Sequence, residues 1–194
     1  MLLSYTQLAN STLEIEIGDT TPTDFDRLIV GGPAQFGGEL DVNLAAGYLP
    51  NLSDTFQIVT ASLIPVQGYA FLLANSTLPS ISQLLDFHLF YDPTVLTLAV
   101  VPSLSGDYNA DGVVNAADYT VWRNTQNQTG IALAADANFD RVVNFVDYLL
   151  WRANFGMVAP GAGGGADVPE PSALVMFLVA LTVICIRSGR NGHG

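Results

Sequence analysis

The sequence predicts a multidomain chain, mainly β and then α. An N-terminal β-domain, built as a β-sandwich or as the terminal strands of a β-solenoid, precedes a small helical module with two acidic loops. A flexible linker and a single C-terminal transmembrane helix follow. Three observations predict this order: apolar and polar residues alternate between 13 and 101, a 29-residue repeat starts at 107, and an apolar run fills 172–186. The corresponding boundaries are 1–102, 103–156, 157–171 and 172–194.

In the first region Leu13, Ile15 and Ile17 alternate with Glu14 and Glu16, and Leu40, Val42 and Leu44 with Asp41 and Asn43. A period of two places one face of each segment on a core and the other in water, which is the mark of half-buried strands. Further strands are expected at 26–30, 55–60, 69–73, 84–91 and 95–101, between turn formers such as Gly31-Gly32, Gly37-Gly38 and Asp92-Pro93. The segments DRLIVGG at 26–32, GELDVNL at 38–44 and DTFQIVT at 54–60 resemble the closing part of autotransporter-like β-repeat proteins of bacterial surfaces. That resemblance implies the last strands of a solenoid, or a small sandwich after one, and it brings no catalytic residues.

The repeat reads DYNADGVVNAADYTVWR at 107–123 and DANFDRVVNFVDYLLWR at 136–152, with ten of seventeen positions identical. Calcium takes six to eight oxygens, and one loop can present them when acidic or amide side chains recur at alternate positions and a carboxylate closes at the twelfth. Asp107, Asn109, Asp111, the carbonyl of Val113, Asn115 and Asp118 hold positions one, three, five, seven, nine and twelve. Asp136, Asn138, Asp140, the carbonyl of Val142, Asn144 and Asp147 hold the same places in the second copy. Asx turns alone would explain one such loop; two in one register, each followed by Tyr and Trp-Arg, point to bound calcium. A helix is expected after each closing Asp, with Tyr119 and Trp122 packing against Tyr148, Trp151 and Phe155 as the core of a small metal-stapled module.

Residues 105–156 therefore resemble a dockerin module, whose two calcium loops are each followed by a helix and close with Asp. The resemblance implies two Ca2+ sites and a cohesin-like or other surface-protein partner. Arg141 departs from the pattern, standing where Gly112 stands in the first loop. A non-Gly residue at that turn accepts an unfavourable backbone angle and brings a positive charge toward the ion, so the second site is expected to be the weaker. The positions that would read a cohesin are Ala116-Ala117 in one copy and Phe145-Val146 in the other. Symmetric binding in two orientations is therefore not expected, and a calcium-dependent spacer remains the competing role.

The C-terminal apolar run would span about 22 Å as a helix, short of the ~30 Å hydrocarbon core unless its flanks snorkel or the bilayer thins. Arginines after it favour a cytoplasmic C-terminus. Val168, Pro169, Glu170 and Pro171, then the apolar run, then Arg187 and Arg190, resemble the PEP-CTERM sorting signal. This implies recognition and cutting by an exosortase-type peptidase; an uncut single-pass anchor is the alternative. Export to the cell envelope or surface follows, with at least transient membrane anchoring. The start at Met1 lacks a basic, apolar leader, so if the protein is exported, as its other end suggests, its true beginning is expected upstream.

Composition narrows the remaining classes. The net charge is -12 and all six basic residues are arginines, so no basic face is available for nucleic acid. One cysteine, Cys185, rules out an intrachain disulfide and a thiolate zinc site. His88, on a predicted strand among apolar neighbours, reads as a surface or cross-strand residue rather than a general base. No catalytic constellation is present. The expected function is a noncatalytic surface protein whose calcium-stabilised module mediates adhesion or assembly. The alternative is the C-terminal piece of a secreted polysaccharide-degrading enzyme, docked through that module, with its catalytic domain upstream.

Overall fold

The computed structural model describes residues 2–68, 70 and 76–160. The chain divides into two compact units, Met1–Gly163 and Gly164–Gly194. The second lies outside the described residues, and with it the Val168–Pro171 motif, the apolar run expected to cross the membrane, Arg187 and Arg190. Among the described residues no helix is long and apolar enough to cross a membrane.

Among the described residues nine strands come first: β1 Tyr5–Thr6, β2 Thr12–Ile17, β3 Leu28–Ile29, β4 Ala34–Gln35, β5 Glu39–Leu44, β6 Thr55–Thr60, β7 Ser76–Thr77, β8 Leu85–Asp92 and β9 Val95–Pro102. In β2 the alternation does what it predicts: Ile15 and Ile17 are buried while Glu14 and Glu16 face water. The predicted strand at 26–30 shortens to β3. The one at 69–73 lies outside the described residues except for Ala70, which is helical.

Pairing is parallel through most of this region. Tyr5 sits beside Ala34, Thr12 beside Glu39 and Leu28 beside Val59. These offsets of about 30 residues mean that the chain passes repeatedly through the same strand positions. The run ends at a hairpin in which β8 and β9 pair antiparallel from Leu85↔Pro102 to Asp92↔Val95, with β9 also antiparallel to β6. The main core gathers Ile15, Ile17, Leu40, Val42, Phe56, Ile58, Leu89, Leu96 and Leu98. Each such side chain contributes about 1.5–3 kcal/mol when fully buried.

Strand β9 is buried on both faces. Leu96, Leu98 and Val100 belong to the main core, whereas Ala99 joins Phe90 and Ala132 in a separate cluster with Ile131 and Phe139. The second face is covered by the helical region that follows, which accounts for the nearly continuous apolar run of this strand.

That region holds helices α1 Ala116–Thr125 and α2 Phe145–Asn154. Both begin before the closing Asp rather than after it. Asn115 and Asn144 are the N-caps, and Asp118 and Asp147, three residues on, accept the N–H groups of the caps; the reciprocal box satisfies orphan N–H groups and starts the helix early. The copies lock reciprocally. Trp122 donates its indole N–H to the Asn144 carbonyl and Trp151 donates to that of Asn115, both at 2.8 Å. Residues after α1 pair with loop 2, as at Thr129↔Val142, and residues after α2 pair with loop 1, as at Val113↔Val158. Backbone pairing thus runs on to Ala159, whose N–H donates to the Gly112 carbonyl, beyond the expected linker start at 157.

Tyr119, Trp122, Tyr148 and Trp151 pack together as expected. Phe155 does not join that core: it is 57% exposed, because it is the C-cap of α2, and it meets Trp151 edge-to-face with ring centroids 5.3 Å apart. Gly106 suits the entrance, with φ +96, where a Cβ would be strained and would stand a tight 3.1 Å from the Trp151 Cα.

Candidate metal centre

Each loop is organised around its first and last aspartates. Asp107 accepts the N–H of Asp111 at 3.1 Å and of Gly112 at 2.8 Å; Asp118 accepts those of Asn109 at 3.1 Å and Asn115 at 2.8 Å. Between them Asp111 accepts the Val113 N–H at 2.9 Å and the Asn109 amide at 2.8 Å. The Asn115 amide donates to the Val113 carbonyl at 3.0 Å.

Loop 2 repeats this network. Asp136 accepts Asp140 N–H at 3.1 Å and Arg141 N–H at 2.7 Å; Asp147 accepts Ala137 N–H at 2.9 Å and Asn144 N–H at 2.8 Å. Asp140 accepts from Val142 and from the Asn138 amide, and the Asn144 amide reaches both the Val142 carbonyl and Asp140. All twelve predicted residues thus fall within two small loops, six to each.

Asp107, Asp118, Asp136 and Asp147 are buried, and their bonds come from main-chain N–H groups, not from cations. Among the described residues the only ion pair is elsewhere, between Arg141 and Asp92. Burial pushes the Asp107 and Asp136 carboxyls above their ordinary range, main-chain N–H bonds oppose the rise, and neighbouring carboxylates add to it. The Asn138 amide holds exposed Asp140 below that range. Buried charge normally has a partner or a metal, so paired buried carboxylates without a cation fit a hard, oxygen-seeking ion.

Among the described residues no group of three or more Asp, Glu, His or Cys side chains is gathered as a metal would require. What each loop does bring together is carboxylates beside Asn side-chain oxygens and a main-chain carbonyl. That is the chemistry calcium accepts and zinc does not.

Gly112 has φ +88 and Arg141 φ +71, so the strained angle expected at Arg141 is present. Its charge, however, is not directed at the loop. The guanidinium donates to Asp92 Oδ1 at 2.9 Å and to the Tyr91 carbonyl at 2.7 Å, both on β8. The part of the expected weakening that rested on a cation beside the ion therefore loses its basis.

Residues overlooked in the sequence surround this contact. Phe139, at position four of loop 2, stacks on His88 with ring centroids 4.0 Å apart, and burial lowers the His88 pKa. Tyr108 is fully buried and donates to the Asp147 carbonyl at 2.7 Å, tying loop 1 to the end of loop 2. The apolar character of position four in loop 2 was the one available signal.

No curated protein and no solved structure matches the chain. Residues 105–155, which hold both loops, both helices and the reciprocal tryptophan bonds, match the family model of the dockerin type I domain.

Proposed function

We propose that residues 105–155 form a calcium-folded docking module that joins a noncatalytic, exported surface protein to a cohesin-like partner. The observation that carries this reading is the pair of buried aspartates in each loop, held without a cationic side chain, inside a segment that matches the dockerin type I domain. Asp107, Asn109, Asp111, Val113 O, Asn115 and Asp118 would hold one ion. Asp136, Asn138, Asp140, Val142 O, Asn144 and Asp147 would hold the other. Calcium there supplies the charge that the carboxylates lack and couples binding to folding.

An exposed apolar face favours partner binding over a spacer role. Phe145, Val146 and Leu149 at the start of α2 are 61%, 47% and 45% exposed, whereas α1 carries Ala116, Ala117 and Thr120 at the equivalent places. Such a patch is uncommon on a surface with nothing to meet. The parallel stacking of β1 to β7 supports the solenoid-end alternative for the β-domain. The sequence at 168–190 supports export, a membrane-held tail and cutting by an exosortase-type peptidase.

The test is calcium titration of the full chain, followed by tryptophan fluorescence and by capture on a cohesin-fold domain with and without chelator. Binding that appears only with calcium and is lost in Phe145→Asp is the expected result. A chain whose fluorescence and capture ignore calcium would end the docking reading.

A further inference from the structure

Loop 2 reaches the β-domain in a way that loop 1 does not. At position four Phe139 lies flat on His88, with an interplanar angle of 20°, and meets the edge of Phe90 at 6.3 Å. At position six Arg141 forms its ion pair with Asp92 and lies 5.6 Å from the Phe90 ring centroid. The matching residues of loop 1 are Ala110 and Gly112, whose side chains are too short for either contact. Phe139 and Arg141 nevertheless adopt the same left-handed backbone, with φ 59 and 71 against 54 and 88. Large side chains are rare at such angles, and here both are spent on one hairpin.

The contact residues are built into the loop's own donor network. Asp136 holds the N–H groups of Asp140 and Arg141 through its two carboxylate oxygens, and the Arg141 carbonyl accepts from Gly130. Whatever fixes Asp136 and Asp140 therefore fixes residues 139–141, and with them the two side chains that meet β8.

We propose that loop 2 is a calcium-dependent fastening between the module and the β8–β9 hairpin. An ion in loop 2 holds Phe139 and Arg141 on His88 and Asp92, and the hairpin in return pre-sets loop 2 for the ion. Reciprocity is obligatory, since two events that share one conformation change each other's equilibrium by the same factor. Loop 1 lacks the contact and stands outside this coupling. The inference rests on the calcium reading above.

The test uses the full chain and calorimetric calcium titration. The binding step lost in Asp136→Ala is assigned to loop 2. The double variant His88→Ala/Asp92→Ala changes only the hairpin, and neither residue is a proposed ligand. The loop 2 step should weaken at least about fivefold, in keeping with ordinary coupling between sites, while the loop 1 step stays as it was. Calcium should also slow amide exchange in strand β8 of the native chain and not in the variant. Asp92→Asn, which keeps the side-chain shape, should show the same selective loss in smaller measure and serves if the double variant does not fold. An unchanged loop 2 step, equal weakening of both steps, or indifference of β8 exchange to calcium would overturn the fastening while leaving the docking reading intact. A native chain that binds no calcium would remove both.

Discussion

The two loops share one backbone and almost one hydrogen-bond list, yet their side chains have parted at the positions that do not hold the network. Positions one, three, five, seven, nine and twelve are the same residues in both copies. Positions four, six, ten and eleven are Ala110, Gly112, Ala116 and Ala117 in one, and Phe139, Arg141, Phe145 and Val146 in the other. The first two of these divergent places meet the β-domain in loop 2; the last two stand exposed at the start of α2. A duplication thus retains the donor geometry twice while its outer faces serve different neighbours.

If the shared network is what both copies need, removing its closing carboxylate should cost the same in each. Asp118→Ala and Asp147→Ala each delete the N3 member of a capping box and the acceptor of two main-chain N–H groups. A loss of about 3 kcal/mol in each is expected from the stranded donors and the lost cap, measured by urea denaturation in calcium. A large difference between them would mean that the loops are not equivalent scaffolds.

A smaller effect separates the copies at position six. Gly112→Arg should destabilise by about 1–2 kcal/mol, the cost of a left-handed residue with a Cβ, because no Asp92 waits for it. Arg141→Gly should stay within about 1 kcal/mol of the native chain, since relief of that strain is set against a half-exposed ion pair and greater unfolded-state freedom. Urea midpoints of the two variants decide it. A harmless Gly112→Arg would show that the strained angle is not what distinguishes the loops.

What could be read in advance follows from how local each cause is. The alternation in β2 and β5 and the gathering of the twelve residues into two loops depend on neighbours within a few positions, and that much was legible. Helix starts were misjudged by a few residues because Asn115 and Asn144 act as caps while also belonging to the loops. The two-residue strands β1, β4 and β7 have no period to detect. Parallel pairing at about 30-residue offsets leaves no visible repeat when side chains differ from pass to pass. The destination of Arg141 was out of reach for a plainer reason: Asp92 lies 49 residues away, and only the folded chain brings them together. His88, expected at the surface or across a strand, is half-buried against a loop for the same reason.

The smallest expected effect concerns acid and belongs to loop 2 alone. His88 is packed between Phe90 and Phe139, and burial lowers its pKa from the ordinary 6.5. The unfolded chain therefore binds this proton more readily than the folded one, and stability rises with pH through the window between the two values. The contribution is complete above about pH 6.5 and is lost as pH falls through the lower, folded value. His88→Phe keeps a ring on Phe139 but cannot titrate, so its melting temperature should fall less than that of the native chain between neutral and mildly acidic pH at fixed calcium. Loop 1 has no histidine at its border, and its calcium step should be the same in the two proteins at either pH. Identical acid sensitivity of the two proteins would mean that the imidazole is neutral packing only, and that any acid response comes from carboxylates common to both loops.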